Sequence, residues 1–302
     1  MDVQTTKRIL ISGWSGFVGH ALKDQFSSQG MEVYGLSRNP SSEFEIAWDY
    51  ETQQIDQEKL ENFDLVIHLS GENIASGFWT EEKKQKIYQS RVKGTQFLVE
   101  SLSQCEKPPS TFICASAIGY YGDRGEEVLN EDSIAGKSFL SKVCVEWEAE
   151  AKKAESMGAR VVMLRFGIVL GKGGALSKML PTFSKGLGGQ LGDGQQYMSW
   201  IDLRDLCRMV DFVWQHSDIE GPINATSPNP VSNQVFTKAL SDALDKPTLL
   251  RIPKIAVKAI LGEGAEEAFA SVRALPEKIQ SLGFQFEYPK IEQSLQSIVE
   301  QL

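Results

Sequence analysis

Ile9-Leu10-Ile11-Ser12-Gly13-Trp14-Ser15-Gly16-Phe17-Val18-Gly19 is the stretch whose reading decides the fold. An apolar, strand-like run ends in three glycines spaced G-x-x-G-x-x-G, and a helix-like stretch from Ala21 to Ser28 follows at once. A second strand-like run, Glu32 to Leu36, comes close behind. This is the layout of a dinucleotide-binding turn. Gly13 permits the tight exit from the strand, Gly16 lets a pyrophosphate approach the backbone, and Gly19 lets the helix pack close to the strand. The free N–H groups at the helix start, around Ser15, Phe17 and Val18, are expected to receive the phosphates.

Outward from this turn, apolar runs alternate with amphipathic stretches. Strands are predicted at Arg8–Ser12, Glu32–Leu36, Leu65–Leu69, Thr111–Ala115 and Arg160–Arg165, and helices at Gly16–Ser28, Glu81–Ser103 and Phe139–Met157. Such alternation implies right-handed βαβ units. The expected fold is therefore α/β, a Rossmann-type doubly wound parallel sheet. After Gly167 the pattern changes to a Gly- and Pro-punctuated stretch. It is followed by helices at Arg204–Gln215 and Gln234–Leu244, a loop at Asn224–Pro230 and a helical tail from Pro253 with an extended break at Phe284–Tyr288. Residues 1–170 are read as the nucleotide domain and 171–302 as a smaller C-terminal substrate lobe, some segments of which can return to the sheet.

The composition narrows the function. The chain has 302 residues, 41% of them apolar, and a net charge of −9, with no basic tail or stripe to recruit nucleic acid. No apolar run approaches the ~20 residues of a membrane span. The start, Met1 to Lys7, shows no apolar leader segment, so the expectation is a cytoplasmic protein. Cys105, Cys114, Cys144 and Cys207 are scattered, as are His20, His68 and His216, and no metal site is expected.

The end of the second strand distinguishes the two nicotinamide cofactors. An acid there would bind the ribose 2′-OH of NAD, whereas a basic residue accommodates the 2′-phosphate of NADP. This chain reads Leu36-Ser37-Arg38-Asn39, with no acid, and NADP is the expected cofactor. Leu69-Ser70-Gly71-Glu72-Asn73 closes another strand with small residues that suit either a ligand's close approach or a tight loop. Arg91, on the next helix, reads either as a surface residue or as one that reaches the cofactor.

The stretches Leu69–Ala75, Ala115-Ser116-Ala117-Ile118-Gly119-Tyr120-Tyr121-Gly122, Leu164-Arg165-Phe166-Gly167-Ile168-Val169-Leu170-Gly171, Met198–Asp202 and Gly221–Thr226 together resemble an atypical branch of the extended short-chain dehydrogenase/reductases. The branch is the sugar-epimerase-like family with a C-terminal domain of unknown function, sometimes labelled cell-division inhibitors. The resemblance runs over nearly the whole chain. It implies a Rossmann fold, NADP(H) binding and cofactor contacts from Ser37, Arg38, Leu69, Ser70, Arg91 and Val169; Gly71, Glu72, Arg165 and Gly167, in the same stretches, are further cofactor-binding candidates.

The superfamily's chemistry uses a tyrosine, a lysine four residues later and a nearby Ser or Thr. Here the Y-x-x-x-K frame falls on Ser138-Phe139-Leu140-Ser141-Lys142, so the lysine is present and the tyrosine is replaced. A serine hydroxyl is a far weaker acid than a phenol of pKa ~10. The usual Ser/Thr position falls on Ala117, with Ser116 one residue earlier on the other face of the strand. The candidate catalytic set is therefore Tyr121 (or its neighbour Tyr120) as acid, Ser116 near the reacting oxygen, and Lys142 on the ribose, with Glu72 or Asp123 as alternative bases. Tyr121 could equally pack over the nicotinamide, and Lys142 could be a solvated helix residue.

On the substrate side, Lys178, Lys185 and Arg204 offer charge, Gln195, Gln196 and Tyr197 offer hydrogen bonds, and Met198 and Phe183 an apolar wall. Trp200 reads as core, while Asp202 and Asp205 cap or begin a helix. The expected partner is a small polar or nucleotide-sugar-like substrate. The resemblance also implies a homodimer through Glu81–Ser103 and Phe139–Met157. Two readings stand: an NADP(H)-dependent epimerase-like oxidoreductase, or a non-catalytic NADP(H)-binding sensor.

Overall fold

The computed structural model describes residues 6–75, 77–248 and 250–302. Met1–Thr5, part of the segment read as lacking a leader, lie outside them. Among the described residues no helix is long and apolar enough to cross a membrane.

Ile9, Leu10 and Ile11 are all fully buried because their strand, β1 (Arg8–Ser12), lies inside a sheet covered on both faces. The strands that follow are β2 (Glu32–Ser37), β3 (Glu45–Asp49), β4 (Gln54–Ile55), β5 (Leu65–His68) and β6 (Thr111–Ala117). With Arg160–Phe166 and Gly221–Ala225 they form one eight-stranded sheet. Its order is Gly221–Ala225, Arg160–Phe166, β6, β5, β1, β2, β3, β4, and every pairing is parallel except β3 with β4. The chain winds outward from β1 through β2 and β3, then returns to the other side of β1 at β5. A crevice opens at the carboxyl ends of β1 and β5, where an open α/β sheet binds its ligand.

Alternate residues of each strand feed opposite layers. Ile9, Ile11, Leu65 and Ile67 pack against Leu22 and Phe26 of helix α1 (Phe17–Ser28) and against Leu206, Met209, Val210 and Val213. Leu10, Val66 and Phe112 pack the other way, against Leu98, Leu102, Trp147 and Ala151. A third cluster, around Trp200, joins Leu176, Phe183, Phe236, Leu240, Ile291 and Leu295 in the C-terminal lobe.

The five predicted strands and the first helix appear within one or two residues of their expected bounds. Other elements differ. The helix expected over Glu81–Ser103 is interrupted: Glu81–Tyr88 and Gly94–Leu102 flank a π turn, Gln89–Lys93. The helix expected over Phe139–Met157 is α-helical only to Lys152 and tightens into a 3₁₀ turn. Part of the segment read as the Asn224–Pro230 loop is strand, since Gly221–Ala225 closes the sheet. It lies at the edge, where Pro222 costs no ladder bond. The cut near Leu170 is therefore not clean. Both this strand and the helix Leu203–Gln215 belong to the nucleotide-domain layers.

Asp202 caps the helix Leu203–Gln215, accepting from the Arg204 N–H at 2.9 Å, as expected. Asp205 lies in the first turn, as expected, and has a further role. It is fully buried and accepts the backbone N–H groups of Glu287 and Tyr288 at 2.9 and 2.8 Å, holding the extended break before the last helix. Asp205→Ala is expected to lower unfolding free energy by about 1–3 kcal/mol, the cost of leaving such groups without an acceptor, measured by chemical denaturation.

Candidate active site

Gly13 adopts φ +70°, which a side chain resists, and a Cβ there would stand 3.1 Å from the Leu69 carbonyl carbon and the Ser70 nitrogen. At Gly19 a Cβ would sit 2.3 Å from the Gly13 carbonyl oxygen. The turn after β1 is thus pressed against both the start of α1 and the turn after β5. Helix α1 has Gly16 as its N-cap and no side-chain cap, so the N–H groups of its first residues, Phe17 and Val18, are left to a ligand at the crevice. Ser15 and Gly16 are exposed beside them. This donor set fits the pyrophosphate of a dinucleotide. The Phe17 ring turns away and lies against Gly171, Gly173 and Gly174, so part of the later glycine-rich stretch seats this aromatic.

Ser12 and His68 occupy matching register positions at the ends of β1 and β5. The Ser12 hydroxyl accepts the N–H groups of Leu69 and Ser70 at 3.1 and 3.2 Å and lies 2.6 Å from His68 Nδ1. With its acceptor capacity so used, Ser12 donates its proton to Nδ1, which places the imidazole proton on Nε2. Nε2 has no partner and is enclosed near Trp48 and Phe112. Burial holds His68 neutral and pulls its pKa down to about 3.

At the end of β2, Ser37 is half-buried and Arg38 exposed, close enough for the guanidinium to act on the Tyr50 phenol. After β5, the Glu72 N–H donates to the Ser90 hydroxyl at 2.9 Å, and its carbonyl accepts from Arg91 at 3.0 Å. Its carboxylate is paired with Lys83. Ser90 and Arg91 belong to the π turn, which bulges toward the crevice. Arg91 also lies over the Trp147 ring, and its guanidinium carbon would be 3.1 Å from a Cβ at Gly71.

The two hydroxyl candidates for catalysis are not in the cleft. Tyr121 is fully buried: its hydroxyl lies 2.7 Å from Asn224 Oδ1 and 2.9 Å from the Asn130 carbonyl, and it accepts from Arg165 at 2.9 Å. Burial pushes its pKa up to about 12, the wrong direction for an acid–base residue. Ser116 is also buried and donates to Glu148 Oε1 at 2.7 Å. Arg165, expected at the cofactor, instead forms a buried two-pronged pair with Glu148 at 2.8 and 2.9 Å and stacks on Tyr120. The physical reason is shared: a buried guanidinium demands partners on every edge, and Glu148, Tyr121 and the Glu131 carbonyl supply them. Gly167 lies under the Ser199 carbonyl, and Val169 is half-buried in a strand, Ile168–Leu170, paired with Trp200–Asp202.

Ser138, at the tyrosine position, caps the helix Phe139–Lys152 by accepting the Ser141 N–H at 3.1 Å. Lys142, one turn on, is exposed. Of the substrate-side residues, Arg204 differs from expectation. Arg204 is bound to Asp202, Ser297 and the Tyr288 ring, which turn its guanidinium toward the helix cap and the last helix. Trp200 is core, as expected, with its indole N–H on the Asn229 carbonyl. Asp123 accepts the Gly125 and Ser271 N–H groups. Lys178 crosses to the Ala75 carbonyl at 2.9 Å, bridging the lobe to the turn after β5.

Residues 9–225 match the NAD dependent epimerase/dehydratase family, and residues 252–298 match a domain of unknown function, DUF1731. The chain belongs to that epimerase/dehydratase family. Epimerase family protein Mb2239 of Mycobacterium bovis is 39% identical over 290 residues, covering 95% of this chain and 96% of the relative. Epimerase family protein YfhF of Bacillus subtilis is 35% identical over 297 residues, 96% of this chain and 97% of the relative. The structure of human epimerase family protein SDR39U1 (isoform 2) with NADPH superposes with TM-score 0.90 at 28% identity, covering 98% of this chain and all of that one. A nucleoside-diphosphate sugar epimerase structure from Corynebacterium glutamicum gives TM-score 0.81 at 34% identity, over 98% of this chain and 58% of that one.

Sequence reasoning missed the Ser12–His68 pair, although one signal was present. Each is a polar residue that ends a run of three buried apolar residues, and the two strands are neighbours. The pair has a pH signature. The folded imidazole stays neutral down to about pH 3, while the unfolded one takes up a proton near its ordinary 6.5. The unfolded state therefore binds more protons between these values, and stability falls as pH drops, by up to about 1.4 kcal/mol per pH unit. His68→Asn retains an acceptor for Ser12 and removes this titration. Denaturation from pH 7 to 4 should show a slope shallower by up to one proton in the variant.

Proposed function

We propose that this chain is an NADP(H)-dependent, epimerase-like oxidoreductase acting on a small polar or nucleotide-sugar-like carbonyl or alcohol. The observation that carries the cofactor choice is the end of β2. An exposed Arg38 beside Ser37, with no acid there, suits a 2′-phosphate and offers nothing to a bare 2′-OH. The NADPH in the human relative's structure supports the same choice. In this reading the N–H groups at the start of α1 hold the pyrophosphate, and the Leu69–Glu72 turn lies along the dinucleotide. Arg91 steadies that turn, and Lys142 binds the nicotinamide ribose. When bound, the cofactor supplies or accepts a hydride at its nicotinamide ring. The protein orients the substrate oxygen, excludes water and manages one proton.

A second reading, a sensor that binds NADP(H) without turning it over, is favoured by one observation: Tyr121 and Ser116 are withdrawn into the buried Arg165–Glu148 network. The two readings share the cofactor site and differ in whether another group handles the proton.

Arg38→Ala tests the cofactor choice. Removing one charge-assisted phosphate pair is expected to weaken NADPH binding about 10- to 100-fold, and NADH binding by less than about twofold, in fluorescence titrations. Equal loss for both nucleotides would contradict the 2′-phosphate assignment.

A further inference from the structure

Trp14 follows Gly13 in the glycine turn, and its side chain leaves the turn toward β2. The indole lies on Gly35, where a Cβ would stand 2.0 Å from Trp14 Cδ2. Gly35 is buried in the middle of β2, in register with Ile11 of β1, and the indole is what excludes any larger residue there. The ammonium of Lys23, from the second turn of α1, stands over the same indole, 4.7 Å from the ring centre. The negative face of an indole attracts an ammonium and holds it in one place.

This pair belongs to the face of β2 that ends at the cofactor-selecting residues. Side chains alternate along a strand, so Val33, Gly35 and Ser37 share a face. Val33 packs in the layer under α1, and Gly35 carries the indole, so Ser37 faces the side of Trp14 and Lys23. Arg38 comes next. Two cations, Lys23 and Arg38, thus flank the end of β2. Among the described residues neither pairs with a carboxylate, and Asp24, beside Lys23 in sequence, faces His20 at 3.5 Å. In a chain of net charge −9, that end of the strand keeps a positive field with no protein counter-charge.

We propose that Lys23, steadied by the Trp14 indole, is a second cation for the 2′-phosphate of NADP(H) and helps to select it over NAD(H). The proposal deepens the NADP(H) reading above and rests on it. The step from Gly35 to Ser37 is about 7 Å along the strand. That is less than the Debye length of about 10 Å at about 0.1 M salt, so a phosphate at Ser37 and Arg38 feels a charge held over Gly35. Arg38 supplies a planar, two-pronged contact, and Lys23 a point charge. Trp14 is a positioning residue: it fixes where that charge stands.

The test compares NADPH and NADH dissociation constants in the full chain and in four variants, at low and high salt. Lys23→Met keeps an unbranched stem over the indole and removes the charge. It should weaken NADPH binding roughly three- to tenfold and change NADH binding by less than about twofold. Lys23→Arg should keep the native preference. The loss in Lys23→Met should shrink as ionic strength rises from about 0.01 M to about 1 M, where the Debye length falls from about 30 Å to about 3 Å. A packing defect would not respond to salt in this way. Trp14→Leu should lose part of the preference and Trp14→Phe, which restores a ring face, should regain it. An unchanged preference in Lys23→Met, an equal loss for both nucleotides, or a loss that salt does not reduce would overturn the role of Lys23 and leave the NADP(H) reading standing. An unchanged preference in Trp14→Leu would overturn the positioning role of Trp14. A native protein that binds NADH as tightly as NADPH would overturn the NADP(H) reading itself.

Discussion

The Ser12 hydroxyl is the interaction around which the site is built. It ends β1, accepts both N–H groups of the Leu69–Ser70 turn and donates to His68 at the end of β5. Two parallel strands that were separated by more than fifty positions in sequence are thereby made to stop together, and their following turns meet at van der Waals distance across Gly13. There the sheet leaves a crevice floored by backbone. The cost is a neutral imidazole with an unpartnered N–H in the core. Such a group is tolerable because the second ring nitrogen satisfies the one hydroxyl that orders two backbone donors.

A second buried system, Arg165 with Glu148, explains why the usual hydroxyl positions are absent from the cleft. A guanidinium taken out of water requires nearly all its edges to be paired. In meeting that demand the network draws in Ser116 through Glu148, Tyr121 directly and Asn224 through Tyr121. Asn224 belongs to the edge strand that returns from beyond residue 170, so the network also locks the later chain onto the nucleotide-binding sheet. The same residues that make the sequence look like a displaced catalytic set are holding two parts of the chain together.

Much of this architecture was legible in sequence. The glycine turn, the apolar runs of β1 and β5 and the helix after them each carry a local signature, since strands buried on both faces are apolar throughout. The position of Arg38 was legible too, as an exposed basic residue directly after β2. Less could be read where function depends on distant contacts. The π turn at Gln89–Lys93 leaves the helical periodicity nearly intact, so nothing local distinguishes it from a continuous helix. The burial of Tyr121 follows from Arg165, 44 positions away. Residues chosen by their place in a motif, such as Tyr121, were misplaced because side-chain direction there is set by a charge elsewhere.

The central claim is that the crevice between β1 and β5 holds NADP(H) through backbone donors and Arg38. A crystal structure grown with saturating NADPH tests it most directly. The account predicts the pyrophosphate on the N–H groups at the start of α1, the 2′-phosphate against Ser37 and Arg38, and the nicotinamide end opening toward Ser138 and Lys142. A dinucleotide bound elsewhere, or a 2′-phosphate with no contact to Arg38, would contradict it.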